Sequence, residues 1–175
     1  MAVSIRPLDG SKVGALSALA RSTYVESFGH TFTPEDLAAH LEAHLSDSYF
    51  RQAIEDDFIM IAVAAERMVG FIQCGPIRLP VTDHSPRDRQ IRRLYVEADH
   101  QRTGIGTALL DAALRHPTMR MTHRIYLDVW EGNEPARAFY ERHGFRVVGA
   151  HRFVVASGVE TDDELIMVRD GDPPG

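Results

Sequence analysis

A short turn near the middle of the chain combines glycines with polar side chains, between an apolar segment and a helix-like segment. The apolar segment ends in Leu94, Tyr95 and Val96, and the turn comprises Gln101, Arg102, Thr103, Gly104, Ile105, Gly106 and Thr107. A helix that begins at such a turn presents unpaired backbone N–H groups and the positive end of its dipole, and both attract phosphate. The two glycines let a ligand approach the backbone closely. We therefore predict an anion-binding turn, with side-chain donors from Gln101, Arg102 and Thr107.

Two nucleotide-binding motifs do not match this turn. A dinucleotide-binding loop has a third glycine three residues after the second, where this chain has Leu109. A P-loop needs a lysine and a hydroxyl residue directly after its last glycine, and this chain lacks that pair. The two glycines by themselves also fit a tight helix start without a ligand, so the turn alone leaves both interpretations open.

A second segment, further along the chain, joins an apolar stretch to a helix-like stretch. Leu127–Trp130 are strand-like, Asn133 stands at the predicted helix start, and Gly144 stands at its predicted end. Asn133 can cap the helix, and glycine suits the left-handed conformation in which many helices end. Tyr140 falls on the apolar face of this helix. It is therefore either a core residue or a proton donor in a site.

The two segments together resemble the signatures of the GNAT family of acetyl-CoA-dependent N-acetyltransferases. Gln101-x-x-Gly104-x-Gly106 is similar to the coenzyme-binding signature of that family, and residues 127–145 resemble its second hallmark. The resemblance implies an α/β fold, in which a single domain holds a mixed, centrally splayed β-sheet flanked by helices. It also implies direct transfer of acetyl from acetyl-CoA, the co-substrate, to a primary amine. Homodimers are common in the family, and we expect one here.

The resemblance also assigns roles to individual residues. It places coenzyme contacts at Leu94, Tyr95, Val96, residues 101–107, Asn133 and Tyr140. The backbone N–H of Val96 or its neighbour would stabilise the oxyanion, Asn133 would bond the pantetheine arm, and Tyr140 would protonate the leaving thiolate. A lysine-like amine is charged near pH 7, so a base must take its proton. Asp128 stands where some relatives that acetylate protein N-termini carry a glutamate base, and Glu97 or water are the alternatives.

The acceptor is indicated only by charge and by a weaker resemblance. Phe32–Leu37 and Phe153–Met167 resemble the branch that includes spermidine/spermine acetyltransferases. From Glu26 to Asp57 there are eight acidic residues and one basic residue, which would attract a cationic amine or simply form solvated helix faces. We expect a small cationic amine such as a polyamine, or a peptide or protein amine. A sensor that binds acyl-CoA without catalysis is the alternative.

Bulk properties narrow the class of protein. The 175 residues fit one domain, predicted at 1–169 with a flexible tail at 170–175, and the net charge of −6 argues against a nucleic-acid partner. Neither a signal peptide nor a membrane-spanning segment is predicted, so we expect a cytoplasmic protein.

The one cysteine, Cys74, lies in an apolar run and is expected to be buried. His40 and His44 share a helix face, but no third ligand accompanies them and no metal site is predicted.

Hydrophobic periodicity and turn residues predict the elements that position these segments. The predicted strands cover residues 4–8, 58–64, 68–74, 90–97, 124–130, 145–155 and 164–169. The predicted helices cover residues 10–27, 34–45, 46–55, 104–116 and 134–143. Pro117 is expected to stop the fourth helix, and residues 157–163 are expected to form a loop between the last two strands.

Overall fold

The computed structural model describes residues 2–171, which contain seven strands and six α-helices. In chain order these are β1 (Val3–Pro7), α1 (Val13–Phe28), α2 (Pro34–Leu45), α3 (Asp47–Ala53), β2 (Phe58–Ala64), β3 (Arg67–Gly75), β4 (Arg89–Val96), α4 (Ile105–Arg115), α5 (Pro117–Arg120), β5 (Arg124–Trp130), α6 (Glu134–Arg142), β6 (Arg146–Val154) and β7 (Glu160–Asp170). The hydrogen-bonded strand order is β1-β2-β3-β4-β5-β7-β6. The pair β4–β5 is parallel, whereas β1–β2–β3 and β5–β7–β6 are antiparallel. The predicted α/β fold with a mixed sheet is confirmed.

Contacts within the chain group its residues into two compact units. The first unit contains the chain up to Cys74 together with Arg93–Leu114. The second unit contains Gly75–Arg92 and the chain from Arg115 onward. The first unit therefore holds β1 to β3, α1 to α3, the end of β4 and most of α4. The second holds the start of β4, together with β5 to β7, α5 and α6.

The core of the first unit lies between α1, α3 and the β2–β3 hairpin. Apolar residues recur at helical spacing in α1, and Val13, Leu16 and Ala20 are fully buried. The hairpin contributes Ile61 and Phe71 to the same cluster. Each large apolar side chain buried in this way stabilises the fold by about 1.5–3 kcal/mol relative to exposure. This packing holds α1 against the hairpin.

Two hydroxyl side chains determine where α2 and α3 begin. Thr33 Oγ1 accepts a hydrogen bond of 3.2 Å from the backbone N–H of Asp36, and Pro34 occupies the first position of α2. Ser46 Oγ accepts a hydrogen bond of 3.2 Å from the backbone N–H of Tyr49. A cap of this kind contributes about 1 kcal/mol to helix stability. The predicted helix start at residue 34 is confirmed, and α3 begins one residue after its predicted start at residue 46.

The second unit is built on the antiparallel strands β5, β7 and β6. β5 pairs with β7 along its length, with Asp128 opposite Ile166 and Trp130 opposite Glu164. β6 pairs with β7 so that His151 also lies opposite Glu164. Directly paired residues share a face of the sheet, and residues two apart on a strand do too. Asp128, His151 and Glu164 therefore lie on one face.

Some predicted boundaries are wrong. β7 begins at Glu160 rather than at residue 164, because residues 160–163 continue the ladder with β6. It also extends to Asp170, which pairs with Arg124, so the predicted tail begins one residue too early. Residues 172–175 of that tail lie outside the described residues. Pro117 does end α4, but it also occupies the first position of α5, since proline fits a first helical turn. α3 ends at Ala53, two residues earlier than predicted.

Candidate functional site

The turn after β4 is closed by side chains onto backbone carbonyls. Gln101 Nε2 donates a hydrogen bond of 3.0 Å to the carbonyl of Val96. Thr103 Oγ1 donates one of 2.6 Å to the carbonyl of His100. Arg102 and Gly104 adopt positive φ angles of 59° and 89°. Glycine takes such an angle without the steric cost that a Cβ imposes, which explains its presence at position 104.

The start of α4 is open on the side that faces solvent. Residues 101–104 and Thr107 are exposed, whereas Ile105 and Leu109 are buried and anchor the helix. The backbone N–H of Ala108 donates to the carbonyl of Gly104 at 3.0 Å, so the N–H groups of residues 105–107 precede the helical ladder. A Cβ built at Gly104 meets no atom within 4 Å. The predicted anion-binding turn therefore has the open geometry that a phosphate requires.

At the end of β4, part of the backbone points away from β3. The N–H of Glu97 donates to the carbonyl of Val69 on β3 at 2.9 Å. Because hydrogen-bonding directions alternate along a strand, the N–H of Val96 points to the opposite edge. The ring of Tyr95 packs edge to face against Phe71, with 5.4 Å between centroids. Its side chain thus belongs to the core, and a ligand added along this edge of β4 would pair with the backbone of Leu94 and Val96.

Gly70 on β3 lies close to both β4 and α4. A Cβ built at Gly70 would come within 2.9 Å of the carbonyl oxygen of Tyr95 and 3.3 Å of the Leu109 side chain. Both distances are too short for a side chain to be added without movement of its neighbours. Gly70 therefore allows β4 and α4 to approach β3 closely.

In the second unit, Asn133 and Tyr140 take the positions that the sequence predicts. The Oδ1 atom of Asn133 accepts a hydrogen bond of 3.2 Å from the N–H of Ala136, so Asn133 caps α6. Tyr140 is buried, and its ring packs edge to face against Phe139 and Phe145. Gly144 has a φ of 86° at the end of the helix, as predicted. The packing fixes the orientation of the Tyr140 ring.

Asp128 belongs to a cluster of ionisable groups that the sequence did not reveal. His151 Nε2 lies 3.0 Å from Asp128 Oδ2, and the imidazole donates because an ionised carboxylate only accepts. Glu164 lies opposite His151 in the sheet. His151 and Asp128 keep 21% and 27% of their side-chain surface exposed, so a small molecule can reach them. We refer to Asp128, His151 and Glu164 as the acidic cluster.

Protons are held in the acidic cluster near neutral pH. The hydrogen bond to Asp128 raises the pKa of His151, against the opposing effect of burial. Burial, followed by the charge of Asp128, raises the pKa of Glu164 to about 7. Neither residue was singled out from the sequence, because only the pairing register of β6 and β7 places them beside Asp128. The cluster can accept or release a proton within the physiological pH range.

The other sequence candidates have structural partners. Glu97, the alternative base, forms an ion pair with Arg67, and its other oxygen lies 3.5 Å from His100. In the acidic stretch, Asp36 and Asp57 are buried, whereas the other six acidic residues are exposed. Cys74 is fully buried, as predicted. Among residues 2–171, no group of three or more His, Cys, Asp or Glu side chains could hold a metal ion.

None of the helices in the described part of the chain is long and apolar enough to cross a bilayer.

Comparison with solved structures identifies the fold. The PaiA N-acetyltransferase from Thermoplasma acidophilum, solved in complex with coenzyme A, superposes with a TM-score of 0.78. It is 20% identical and covers 97% of this chain and 99% of its own. The ribosomal-protein-S18-alanine N-acetyltransferase from Escherichia coli superposes with a TM-score of 0.68 at 21% identity, covering 99% and 97%. At these identities the likeness shows a shared fold.

Comparison with curated sequences points to the same class of enzyme. An uncharacterized N-acetyltransferase from Lactobacillus delbrueckii subsp. lactis is 27% identical over 148 residues, which span 83% of this chain and 85% of the relative. An uncharacterized N-acetyltransferase from Mycobacterium bovis is 26% identical over 157 residues, with coverage of 89% and 95%. The model of the acetyltransferase (GNAT) family matches residues 16–145. This chain therefore belongs to the GNAT family of acetyltransferases, whose co-substrate is acetyl-CoA.

Proposed function

We propose that this acetyltransferase transfers acetyl directly from acetyl-CoA to a primary amine. The observation that carries the proposal is the open start of α4, where the N–H groups of residues 105–107 precede the helical ladder and Gly104 leaves the approach clear. A helix start of this kind suits the pyrophosphate of the coenzyme. In this proposal, residues 101–107 hold the pyrophosphate and the backbone of Leu94 and Val96 pairs with the pantetheine arm.

The backbone of β4 also supports the assignment of an oxyanion donor. The reaction places negative charge on the thioester oxygen in its transition state, and a fixed N–H donor stabilises that charge. Val69 already accepts the N–H of Glu97. The N–H of Val96 points to the opposite edge of β4, so we assign the oxyanion contact to Val96.

Protons must move at both ends of the transfer. The charged amine loses one proton to a base before it attacks, its nitrogen loses a second proton as the amide bond forms, and the coenzyme thiolate gains one proton as the thioester C–S bond breaks. We assign protonation of the thiolate to Tyr140 and removal of the amine proton to Asp128, with Asn133 bonding the pantetheine arm. The hydrogen bond that His151 donates to Asp128 holds the Asp128 carboxylate in a fixed orientation.

The acceptor that we propose is a primary amine, either a small cationic amine such as a polyamine or a peptide or protein amine.

Three other properties stay predictions from the sequence and the family. They are a homodimer, a single domain over residues 1–169 and a cytoplasmic location. The alternative function, an acyl-CoA sensor without catalysis, uses the same turn and differs only in turnover.

Thermal unfolding with and without acetyl-CoA tests the coenzyme assignment first. At 100 times its Kd, the coenzyme should stabilise the fold by about 2.7 kcal/mol and raise the unfolding midpoint. Release of free thiol is then measured with polyamines, amino acids, aminoglycosides and N-terminal peptides. Thiol release with one amine class supports the enzyme. A raised midpoint without thiol release favours the sensor, and an unchanged midpoint contradicts the assignment of residues 94–107.

A further inference from the structure

A row of ring side chains runs over one side of the first unit. Tyr24 of α1 stacks on His40 of α2 with 4.5 Å between ring centroids, and His40 contacts His44 at 4.8 Å. His44 contacts Tyr49 of α3 at 6.4 Å. Phe28 and Phe32 pack against Tyr24, and all six rings keep some exposed surface. We refer to Tyr24, Phe28, Phe32, His40, His44 and Tyr49 as the ring cluster.

Arg93 of β4 adjoins the ring cluster with three neutral partners. Its guanidinium lies 5.0 Å from the centroid of the Tyr49 ring. Nη1 donates to the Tyr49 hydroxyl and to Gln73 Oε1, both at 2.9 Å, and Nη2 donates to the carbonyl of His44 at 3.1 Å. A guanidinium has five N–H donors. Two donors of Arg93, on Nε and Nη2, are therefore left over after these bonds.

This setting is unusual for a partly buried cation, which ordinarily pairs with a carboxylate. Arg93 forms no ion pair with any residue in the described part of the chain. Asp57 approaches only through Gln73, whose Nε2 donates to Asp57 at 2.7 Å while its Oε1 accepts from Arg93. An amide thus separates the carboxylate from the guanidinium, and the positive charge of Arg93 is not directly neutralised.

The neighbouring imidazoles add rings without adding charge. Burial lowers the pKa of His40 to about 4, with further contributions from His44 and Arg93. Burial and Arg93 also lower the pKa of His44. Near neutral pH the ring cluster is therefore uncharged and mostly apolar, with one fixed guanidinium at its edge. This combination suits a ligand that has an apolar body and an anionic group.

We propose that Arg93 binds the carboxylate of the acceptor and that the ring cluster packs against its apolar side chain. The acceptor class is then a free apolar or aromatic amino acid, whose α-amine receives the acetyl group. Guanidinium recognises carboxylate with charge-assisted hydrogen bonds. The inference rests on the proposed acetyl transfer and narrows its acceptor. It also opposes the polyamine expectation, because a fixed guanidinium repels a polycation.

Acceptors that differ only in the carboxylate test the proposal on the unmodified protein. L-phenylalanine is compared with phenethylamine, and L-leucine with isoamylamine, by thiol release at saturating acetyl-CoA. We expect kcat/KM to be at least about tenfold higher for each amino acid, mainly through KM, because a charge-assisted bond is lost with the carboxylate. Equal values within each pair, or a preference for spermidine over both amino acids, would overturn the proposal.

Variants then locate the preference at Arg93. In Arg93→Gln the tenfold preference should disappear while the acetyl-CoA Kd stays the same, and Arg93→Lys should retain part of it. Arg21→Gln is the matched control, since Arg21 is another half-buried arginine of the same unit, and it pairs with Glu42. It should keep the full preference. A change in acetyl-CoA affinity in Arg93→Gln, with the acceptor preference intact, would place Arg93 in coenzyme binding and contradict the proposal.

A binding readout separates this inference from the proposed function. L-phenylalanine should raise the unfolding midpoint of the wild type more than phenethylamine does at equal concentration, and Arg93→Gln should abolish the difference. If thiol release fails with every amine but this difference is present, the proposed catalysis is wrong and the carboxylate site stands. If thiol release occurs but neither amino acid binds, the carboxylate site is wrong and the catalysis stands.

Discussion

Two histidines, one in each compact unit, have pKa values shifted in opposite directions. In the first unit, burial lowers the pKa of His40 to about 4, and the nearby Arg93 acts in the same direction. In the second unit, the hydrogen bond to Asp128 raises the pKa of His151. The same side chain is thus held neutral beside a guanidinium and favoured as a cation beside a carboxylate. Neighbouring charges and burial, rather than residue type, decide what each imidazole can do.

These opposite pKa shifts agree with the roles that we propose, which are acceptor binding at the ring cluster and proton transfer at the acidic cluster. The ring cluster is neutral near pH 7 and lies beside the fixed positive charge of Arg93, so it is suited to binding and unsuited to proton transfer. The acidic cluster contains Glu164 with a pKa of about 7, so it exchanges protons readily. We therefore expect changes in the second unit to alter turnover and changes in the first to alter affinity.

Replacing Tyr140 with Phe should produce the largest effect. The change removes a hydroxyl and keeps the ring packing against Phe139 and Phe145. If Tyr140 protonates the thiolate, kcat should fall by about 100-fold or more, whereas the acetyl-CoA Kd should change little. Steady-state kinetics and calorimetry measure the two quantities. Tyr126→Phe removes a hydroxyl from another buried tyrosine of the same unit and should keep its turnover, while unchanged kcat in Tyr140→Phe would exclude the general-acid role.

Glu164 and His40, which lie in different units, should make opposite contributions to the pH dependence of the free energy of unfolding. Folding raises the pKa of Glu164 from 4.5 to about 7. The folded state therefore holds more protons than the unfolded state between these values, and stability falls as pH rises through them. Folding lowers the pKa of His40 from 6.5 to about 4. There the unfolded state holds more protons, and stability rises with pH. Each contribution amounts to at most about 3 kcal/mol over its full range.

Urea unfolding from pH 4 to 8 separates these contributions. Relative to the wild type, Glu164→Gln should gain stability as pH rises from 4.5 to 7. His40→Phe, which keeps a ring beside Tyr24, should gain stability as pH falls from 6.5 to 4. The difference in stability between each variant and the wild type reports the contribution of the replaced group. Parallel trends in the two variants would contradict the electrostatic contrast between the units.

Replacing Gly104 with Val should weaken coenzyme binding by about tenfold. A β-branched side chain at a φ of 89° strains the turn by roughly 1–2 kcal/mol. The expected readout is a higher acetyl-CoA Kd with kcat nearly unchanged at saturation. Gly158→Val is the matched control, because Gly158 has a φ of 82° and equally open surroundings in the second unit. A similar loss of affinity in both variants would mean that the effect is only general destabilisation.

The smallest of these measured changes is a pKa shift, which we expect at His151 in the variant Asp128→Asn. Loss of the carboxylate should lower the pKa of His151, since the hydrogen bond to Asp128 is the largest cause of its increase. The pKa of Glu164 should fall as well, because a nearby negative charge is removed. NMR titration of the His151 ring protons tests the first change, with exposed His30 as a control. An unchanged His151 pKa would contradict the assigned hydrogen bond.

The sequence predicted those parts of the molecule that depend on local chemistry. Helix starts at Thr33 and Ser46, the turn at Gly104 and the helix end at Gly144 follow from capping and from positive φ angles, which a few adjacent residues decide. Asn133 was predicted to cap α6, and it does. The coenzyme and catalytic roles of these residues stay predictions, since they came from resemblance to the GNAT family.

The parts that were not predicted depend on contacts between distant segments. His151 stands 23 residues after Asp128, and only the register of β6 on β7 brings Glu164 beside both. Arg93 contacts Tyr49 from 44 positions away. Nothing local distinguishes these residues from ordinary surface charges. Burial of Asp36 and Asp57 likewise depends on contacts between distant segments.

Gly70 lies in the buried strand β3, on the side of α4 that faces away from solvent. Because a Cβ there would press against both the carbonyl of Tyr95 and the side chain of Leu109, any larger residue would push the strand and the helix away from β3. A core substitution that touches no ligand would then disable the proposed coenzyme-binding turn. A random mutagenesis screen scored on acetyl-CoA affinity would recover substitutions at position 70. A search limited to exposed residues would miss this position.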